Sequence, residues 1–214
     1  PFQVTAGENV YQAKSIIIST GADTKWLGVP GEKEKIGRGV STCAPCDGPF
    51  FKNKNVIVAG GGDSAMEEAI VLARYTNSVT LVHRRDEFRA SYAMVEKAKE
   101  NPKITFVLNT EVTEILGEFK VTGVKLRNNK TKKVSEMPID GVFVAIGHTP
   151  NSKMFAGIDC DDKGYILVNG RTQTNIEGVF VAGDVFDRNY MQAIVAAGSG
   201  CCAALDAERW LENH

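Results

Sequence analysis

Residues 41 to 51 read STCAPCDGPFF, which sets Cys43 and Cys46 two residues apart with Pro45 between them and Asp47 directly after. In a C-x-x-C pair one thiolate attacks and the other resolves, and the nearness of the two sulfurs lowers the pKa of one, so exchange is fast at neutral pH. Asp47 stands where it can give or take the proton as a sulfur leaves or is regenerated. A zinc site would need a second cysteine pair at ligand spacing, and none follows; His83 and His148 each sit in another motif. Two inert buried thiols would give Pro45 and Asp47 no purpose. The residues favour a redox dithiol.

A second constellation follows in "NVIVAGGGDSAMEEAIVLARYTNSVTLVHRR". Gly60-x-Gly62-x-x-Ala65 comes after a buried apolar run and before an amphipathic one, the context in which a glycine fingerprint binds a dinucleotide. Gly60 allows the tight turn, Gly62 lets a pyrophosphate approach the backbone, and Ala65 keeps the helix close to the strand. Asp63 and Ser64 stand where the helix opens, and its unpaired N–H groups face the phosphates. At the end of the next strand an acidic residue would hold a ribose 2′-hydroxyl. The chain instead reads HRRDEFR, giving His83, Arg84, Arg85 and then Arg89. Guanidinium groups pair with a dianionic phosphate, so NADPH is expected rather than NADH, and Asp86 and Glu87 are the residues that argue the other way. NADPH delivers a hydride while sulfurs take electrons through thiolate chemistry. A flavin is the natural intermediary.

The elements that must position these groups can be read from periodicity. A strand (Val56 to Ala59), a helix (about Ser64 to Tyr75) and a strand (Val79 to His83) form a βαβ unit and so imply a parallel, doubly wound α/β sheet. In that helix Ala65, Ala69, Leu72 and Ala73 share one face, with Glu67, Glu68 and Arg74 directed elsewhere. "ASYAMVEKAKEN" is helical with Pro102 as its stop, and strand-rich segments follow up to Gly147. The opening residues read as two strands joined by a Gly-Glu-Asn turn, the second leading into the buried run Ile16 to Ile18. Three strand ends on glycine, Thr20-Gly21, Gly147 and Gly183-Asp184, let a ligand lie across them. The expected domains are 1–26 and 151–214 folding together, with 27–150 inserted between them.

Composition bounds the partners. With 214 residues, a formal net charge of -1 and 43% hydrophobic content, the chain presents no basic face for nucleic acid and no polybasic membrane anchor. Its longest apolar stretch, Tyr190 to Leu205, is interrupted by Gln192, Gly198, Ser199 and Gly200 and is too short to span a bilayer. Five cysteines, of which only Cys43 and Cys46 have meaningful spacing, point to a reducing cytoplasm. Cys201 and Cys202 read as small buried side chains of an Ala-rich helix, and Cys160 as a loop residue without a partner. The chain starts at Pro1 with no methionine before it, so the numbering is expected to begin inside a longer protein.

"CAPCDG", "GGGDSAMEEA", "HRRDEFR" and "GVFVAGDVFDRNYMQAIVAAGSGCCAALDAERWL" together resemble the low-molecular-weight bacterial-type thioredoxin reductases, over essentially the whole chain. The resemblance implies a flavoprotein of two dinucleotide-binding domains that passes electrons from NADPH to FAD, to the C-x-x-C disulfide and on to thioredoxin. It implies that Cys46 lies nearer the flavin, that Cys43 attacks the substrate disulfide and that Asp47 is the acid/base. It also implies that the segment from Gly183 and Asp184 to Gln192 and Ala193 runs along the FAD, with Thr20 and Gly21 nearby, and that the protein is a homodimer. Such proteins carry a first glycine fingerprint for FAD, and this chain has only the second. The NADPH domain is therefore expected to sit in an incomplete FAD domain, with apolar faces uncovered and FAD held weakly or not at all. Two alternatives stand beside this reading: an NADPH-binding fragment without turnover, and a reductase of another disulfide partner of the alkyl hydroperoxide reductase type.

Overall fold

The computed structural model describes residues 1–214 in full. In chain order the strands are β1 (Phe2–Ala6), β2 (Asn9–Ala13), β3 (Ile16–Ile18), β4 (Ala22–Thr24), β5 (Val40–Ser41), β6 (Asn55–Gly60), β7 (Ser78–Val82), β8 (Ile104–Val107), β9 (Thr110–Leu116), β10 (Gly123–Asn128), β11 (Val134–Pro138), β12 (Gly141–Ala145), β13 (His148–Pro150) and β14 (Val179–Val181). The α-helices are α1 (Ala44–Asp47), α2 (Asp63–Leu72), α3 (Tyr92–Lys99) and α4 (Ala193–Glu212). The chain divides into two units: Pro1–Thr24 with His148–His214, and Lys25–Gly147.

The Lys25–Gly147 unit is built on a parallel sheet ordered β5-β12-β6-β7-β8, with an antiparallel sheet β11-β10-β9 as a second layer. Side chains alternate across a strand, so each parallel strand feeds two cores. Val56 and Val58 of β6 and Phe143 of β12 join Ala65, Met66, Ala69 and Leu72 of α2. Ile57, Ala59, Val142 and Val144 point the other way, onto Val112, Ile115, Val124 and Leu126 of the antiparallel layer. Each fully buried side chain of this size contributes about 1.5–3 kcal/mol. The helix faces thus hold the dithiol turn and the glycine turn against one sheet.

The two strands of the βαβ unit shift by one residue at their ends, to Asn55–Gly60 and Ser78–Val82, and two helices stop short of where the sequence suggests. Helix α2 stops at Leu72 rather than Tyr75, because the chain tightens there: Arg74 donates to Val71 O and Tyr75 to Leu72 O, three residues back in each case. Helix α3 stops at Lys99, three residues short of Pro102, in keeping with the bias against helix just before proline.

In the other unit β1 and β2 form a hairpin with a Gly7-Glu8 turn, β4 pairs antiparallel with β13, and β3 lies parallel to β14. The run Ile16 to Ile18 is only partly buried: Ile18 is in the core, whereas Ile17 is 40% exposed. Helix α4 packs Ala203 and Ala207 onto Phe180 and Ala182. That choice of face turns Cys201 outward to an exposed position and leaves Cys202 half-buried, contrary to their reading as core residues. Cys160 is exposed, its thiol 3.7 Å from the Ile158 carbonyl. No helix is long and apolar enough to cross a membrane.

Candidate active site

Strand β5 delivers Ser41 to the start of the dithiol turn, and α1 closes it. Pro45 occupies the second helical position, where a missing N–H costs nothing. Cys43 and Cys46 are joined as a disulfide with Cα atoms 5.3 Å apart, and the Cys43 Sγ accepts the Cys46 N–H at 3.2 Å. Cys46 is exposed and Cys43 half-buried. Ser41 is buried and does two things: its Oγ accepts the Cys43 N–H at 3.1 Å and donates to Asp47 Oδ2 at 2.6 Å. Asp47 is therefore fixed beside the sulfurs through the same hydroxyl that holds Cys43. A groove of about 490 Å³ opens beside them, lined by Arg38, Ser41, Asp47, Lys54 and the exposed rings of Phe50 and Phe119.

Glu68 belongs to this turn as well. Its Oε2 accepts the N–H of the fully buried Ala44 at 2.7 Å. Burial pushes the Glu68 carboxyl up to about 7; the Ala44 N–H pulls it back, and the neighbouring Glu67 and Asp47 charges raise it further. Sequence reading placed Glu68 on the outer face of α2. Position 68 lies three residues after Ala65 and four before Leu72, a helical spacing that would have placed it on the inner face. Ser41 carried no comparable signal, since its role depends on a sheet edge meeting a turn.

The second cluster lies at the C-terminal ends of β6 and β7, the edge where open α/β sheets bind ligands. A Cβ on Gly60 would stand 2.4 Å from the Ala145 carbonyl oxygen and one on Gly61 2.1 Å from the His83 ring, whereas one on Gly62 would meet nothing within 4 Å. Open space over Gly62 at the start of a ten-residue helix is what a pyrophosphate requires. Asp63 Oδ1 accepts from the Ser91 N–H and hydroxyl at 2.8 and 2.9 Å, tying α2 to the segment that follows Arg89, while Ser64 is exposed. Ala65 is fully buried. The Arg89 N–H donates to Gly61 O at 2.7 Å.

A cavity of about 440 Å³ is lined by Gly60, Gly61, His83, Arg84, Arg89 and Thr110, among others. His83 is buried, and its Nε2 has no hydrogen-bond partner within the protein. Burial lowers its pKa, with Arg89 and Arg84 adding to the effect, so the ring is neutral near pH 7. Arg85 does not line the cavity; its carbonyl accepts the Asn109 N–H. Asp86 pairs with Lys130 at 2.9 Å, which occupies one of the two acids that could oppose a phosphate. The cavity, the open glycine and the two guanidiniums fit an NADPH.

The remaining site residues lie in the Pro1–Thr24 and His148–His214 unit. Parallel pairing of Ile18 with Val181 brings Thr20-Gly21 and Gly183-Asp184 to the same sheet end, and both glycines are left-handed, at φ +70° and +74°. Thr20 Oγ1 donates to Asn151 O at 2.6 Å. The Gly183 N–H donates to Ser199 Oγ of α4 at 2.8 Å, so the helix that Ala193 begins, directly after Gln192, packs on this strand end. Burial, with Asp187 adding to it, raises the Asp184 carboxyl. These strand ends and the head of α4 fit a flavin nucleotide lying across them.

Comparison with known proteins gives the family. The family model described as pyridine nucleotide-disulphide oxidoreductase matches residues 2–200. A thioredoxin reductase of Mycolicibacterium smegmatis is 56% identical over 213 residues, which cover 99% of this chain and 68% of the relative. A bifunctional thioredoxin reductase/thioredoxin of Mycobacterium leprae is 54% identical, covering 99% of this chain and 46% of the relative. The solved thioredoxin reductase from Giardia duodenalis superposes with a TM-score of 0.94 at 42% identity, covering 99% of this chain and 71% of that one. The chain thus spans from about half to about 70% of the length of these proteins. With a dithiol turn and a dinucleotide turn on one sheet and relatives of this kind along its whole length, the chain belongs to the pyridine nucleotide-disulphide oxidoreductases, in their thioredoxin reductase branch.

Proposed function

We propose that the protein to which this sequence belongs is an NADPH-dependent flavoprotein disulfide reductase that reduces thioredoxin. The observation that carries the reading is a Cys43–Cys46 disulfide with an exposed half and an anchored Asp47, packed on the same sheet as an arginine-flanked dinucleotide turn. Arg84 and Arg89 take the 2′-phosphate, Gly60, Gly62, Asp63, Ser64 and Ala65 shape the pyrophosphate turn, and neutral His83 offers its free nitrogen to the nucleotide. Bound FAD supplies the conversion of a hydride into electron pairs that sulfur accepts. Thr20, Gly21, Gly183, Asp184, Gln192 and Ala193 would hold it.

Within this scheme Asp47 exchanges the proton as a sulfur departs, and the Ser41 hydroxyl keeps that carboxyl in place. Cys43 makes the attack on the substrate disulfide and Cys46 resolves it, the roles given by family resemblance. Thioredoxin is supported as partner by the names of the relatives, one of which joins both activities in one polypeptide. The groove with Phe50 and Phe119 beside Asp47 offers a partner protein apolar rings ringed by Arg38 and Lys54. The protein works in the cytoplasm as a homodimer.

The test is NADPH-dependent reduction of thioredoxin by the full-length polypeptide. Cys43→Ser and Cys46→Ser should each abolish turnover, and Cys46→Ser should accumulate a mixed disulfide through Cys43. Undiminished turnover in either variant overturns the reading. A second reading, an NADPH-binding chain that does not retain flavin, is favoured by the two-stranded β3–β14 sheet with Ile17 40% exposed and Ile194 82% exposed. Flavin absorbance that stays with the 214-residue chain through a desalting column rules it out.

A further inference from the structure

Helix α2 starts at the dinucleotide turn and passes directly under the dithiol turn, and it sends one ionisable side chain into the latter. The Ala44 N–H, one residue from Cys43, is shut off from water, and the Glu68 carboxylate is its partner at 2.7 Å. The same carboxylate shares its surroundings with Asp47, which is committed to the Ser41 hydroxyl. Glu67 stands beside it on α2; α3, also packed on α2, carries Tyr92, Glu96, Lys97 and Lys99, while β6, β7 and β12 carry no titratable side chain. Opening the disulfide adds a third negative charge to a place that already holds two.

We propose that Glu68 is a positioning and proton-accepting partner of the Cys43–Cys46 pair, holding the turn through Ala44 and taking up a proton when the disulfide opens to a thiol and a thiolate. With dithiothreitol as reductant the step balances as follows. The two thiol hydrogens of the reductant become one cysteine S–H and one Glu68 O–H, its electron pair breaks the S–S bond, and the reductant closes to its cyclic disulfide. The net charge is unchanged, because the Glu68 negative charge is exchanged for that of the thiolate. Since burial already brings the carboxyl up to about 7, the exchange operates at neutral pH. Above that range an ionised Glu68 opposes the thiolate and raises the thiol pKa. The inference rests on the dithiol being redox-active, as the proposed function has it, and needs neither flavin nor thioredoxin.

The test uses the reduced 214-residue chain, with iodoacetamide alkylation of Cys43 and Cys46 followed by peptide mass between about pH 5.5 and about pH 9. Wild type should give a profile of two steps, which belong to the coupled pair of cysteine thiol and Glu68 carboxyl. Glu68→Gln, which stays uncharged at every pH, should leave one step and exceed the wild-type alkylation rate by up to about tenfold above neutral pH, where Glu68 ionises, the size of one pKa unit from a nearby like charge. Superimposable profiles overturn the proposal. A measurement that needs no substitution stands beside it: in chain labelled with ¹³C-carboxyl glutamate, Glu68 should titrate at a higher pH in the reduced form than in the oxidised form. Equal midpoints overturn the proposal as surely. Failure of NADPH to reduce the disulfide would count against the proposed function and leave both of these readings unaffected.

Discussion

A methyl group on Gly60 would press on the Ala145 carbonyl oxygen at 2.4 Å and on the Ala65 Cβ at 2.7 Å, both parts of the sheet and helix that cannot turn aside. The same group on Gly62 meets open space, yet that space is where a pyrophosphate belongs. Gly60→Ala should therefore destabilise the fold by about 1–3 kcal/mol. Gly62→Ala should leave the urea midpoint almost unchanged and weaken NADPH binding by about tenfold or more, a loss of about 1.4 kcal/mol. Equal NADPH affinity in the Gly62 variant would remove the glycine turn from the nucleotide site. The arginines separate in a similar way. Arg84→Ala and Arg89→Ala should each cost about tenfold to about a hundredfold in NADPH affinity with little change for NADH, the loss of a charge-assisted phosphate contact worth about 1.5–3 kcal/mol. Arg85→Ala should do much less, because the structure leaves Arg85 off the cavity wall. Three arginines at a strand end are legible in the sequence, but not which of them border the cavity.

The βαβ unit was readable because alternating and 3.6-residue apolar patterns record burial directly, as Val56, Val58, Ala65 and Ala69 do. The dithiol turn was readable in chemistry and hidden in support. Ser41 and Glu68 act across separations of 6 and 24 residues, and although helical spacing turns Glu68 inward, no local pattern names its partner. Cys201 is exposed rather than buried because the face an Ala-rich helix buries is decided by what packs on it, here Phe180 and Ala182. Glu32 is a third support of this kind: it is 1% exposed and accepts the Leu27 and Gly28 N–H groups at 2.8 and 2.7 Å. It thereby fixes the turn through which the chain enters the Lys25–Gly147 unit. Glu32→Ala strands two donors, and a lost hydrogen bond to a charged acceptor costs about 1.5–3 kcal/mol. The variant should unfold about 3–6 kcal/mol more easily in urea, with Glu32→Gln intermediate, since its amide oxygen still accepts from one N–H. A midpoint within experimental error of wild type in both variants would show that the turn holds without the carboxylate.

The two units are joined by two passages of chain that run side by side. Thr24 pairs with His148 at the end of β4 and β13, and one residue further on the Lys25 N–H donates to Gly147 O at 3.0 Å. A rotation of one unit against the other therefore twists a pair of neighbouring strands, with Gly147 at φ +95° and open space around its α-carbon on one of them. Such a pivot answers a spatial demand of the proposed reaction. A nicotinamide and a disulfide must each meet the same flavin in turn, and the disulfide must then face a partner protein. The cavity and the dithiol are both carried by the Lys25–Gly147 unit, so the proposed reaction would ask only that this unit turn, with neither site rebuilt. A crosslink that fixes the two units of the full-length polypeptide should then abolish thioredoxin turnover while leaving the NADPH dissociation constant as it was, because the 440 Å³ cavity is lined entirely from within one unit. Release of the crosslink should restore the rate. Turnover that continues with the units fixed would mean that nicotinamide, flavin and disulfide share one standing geometry, and the paired crossings would then be plain connections rather than a hinge.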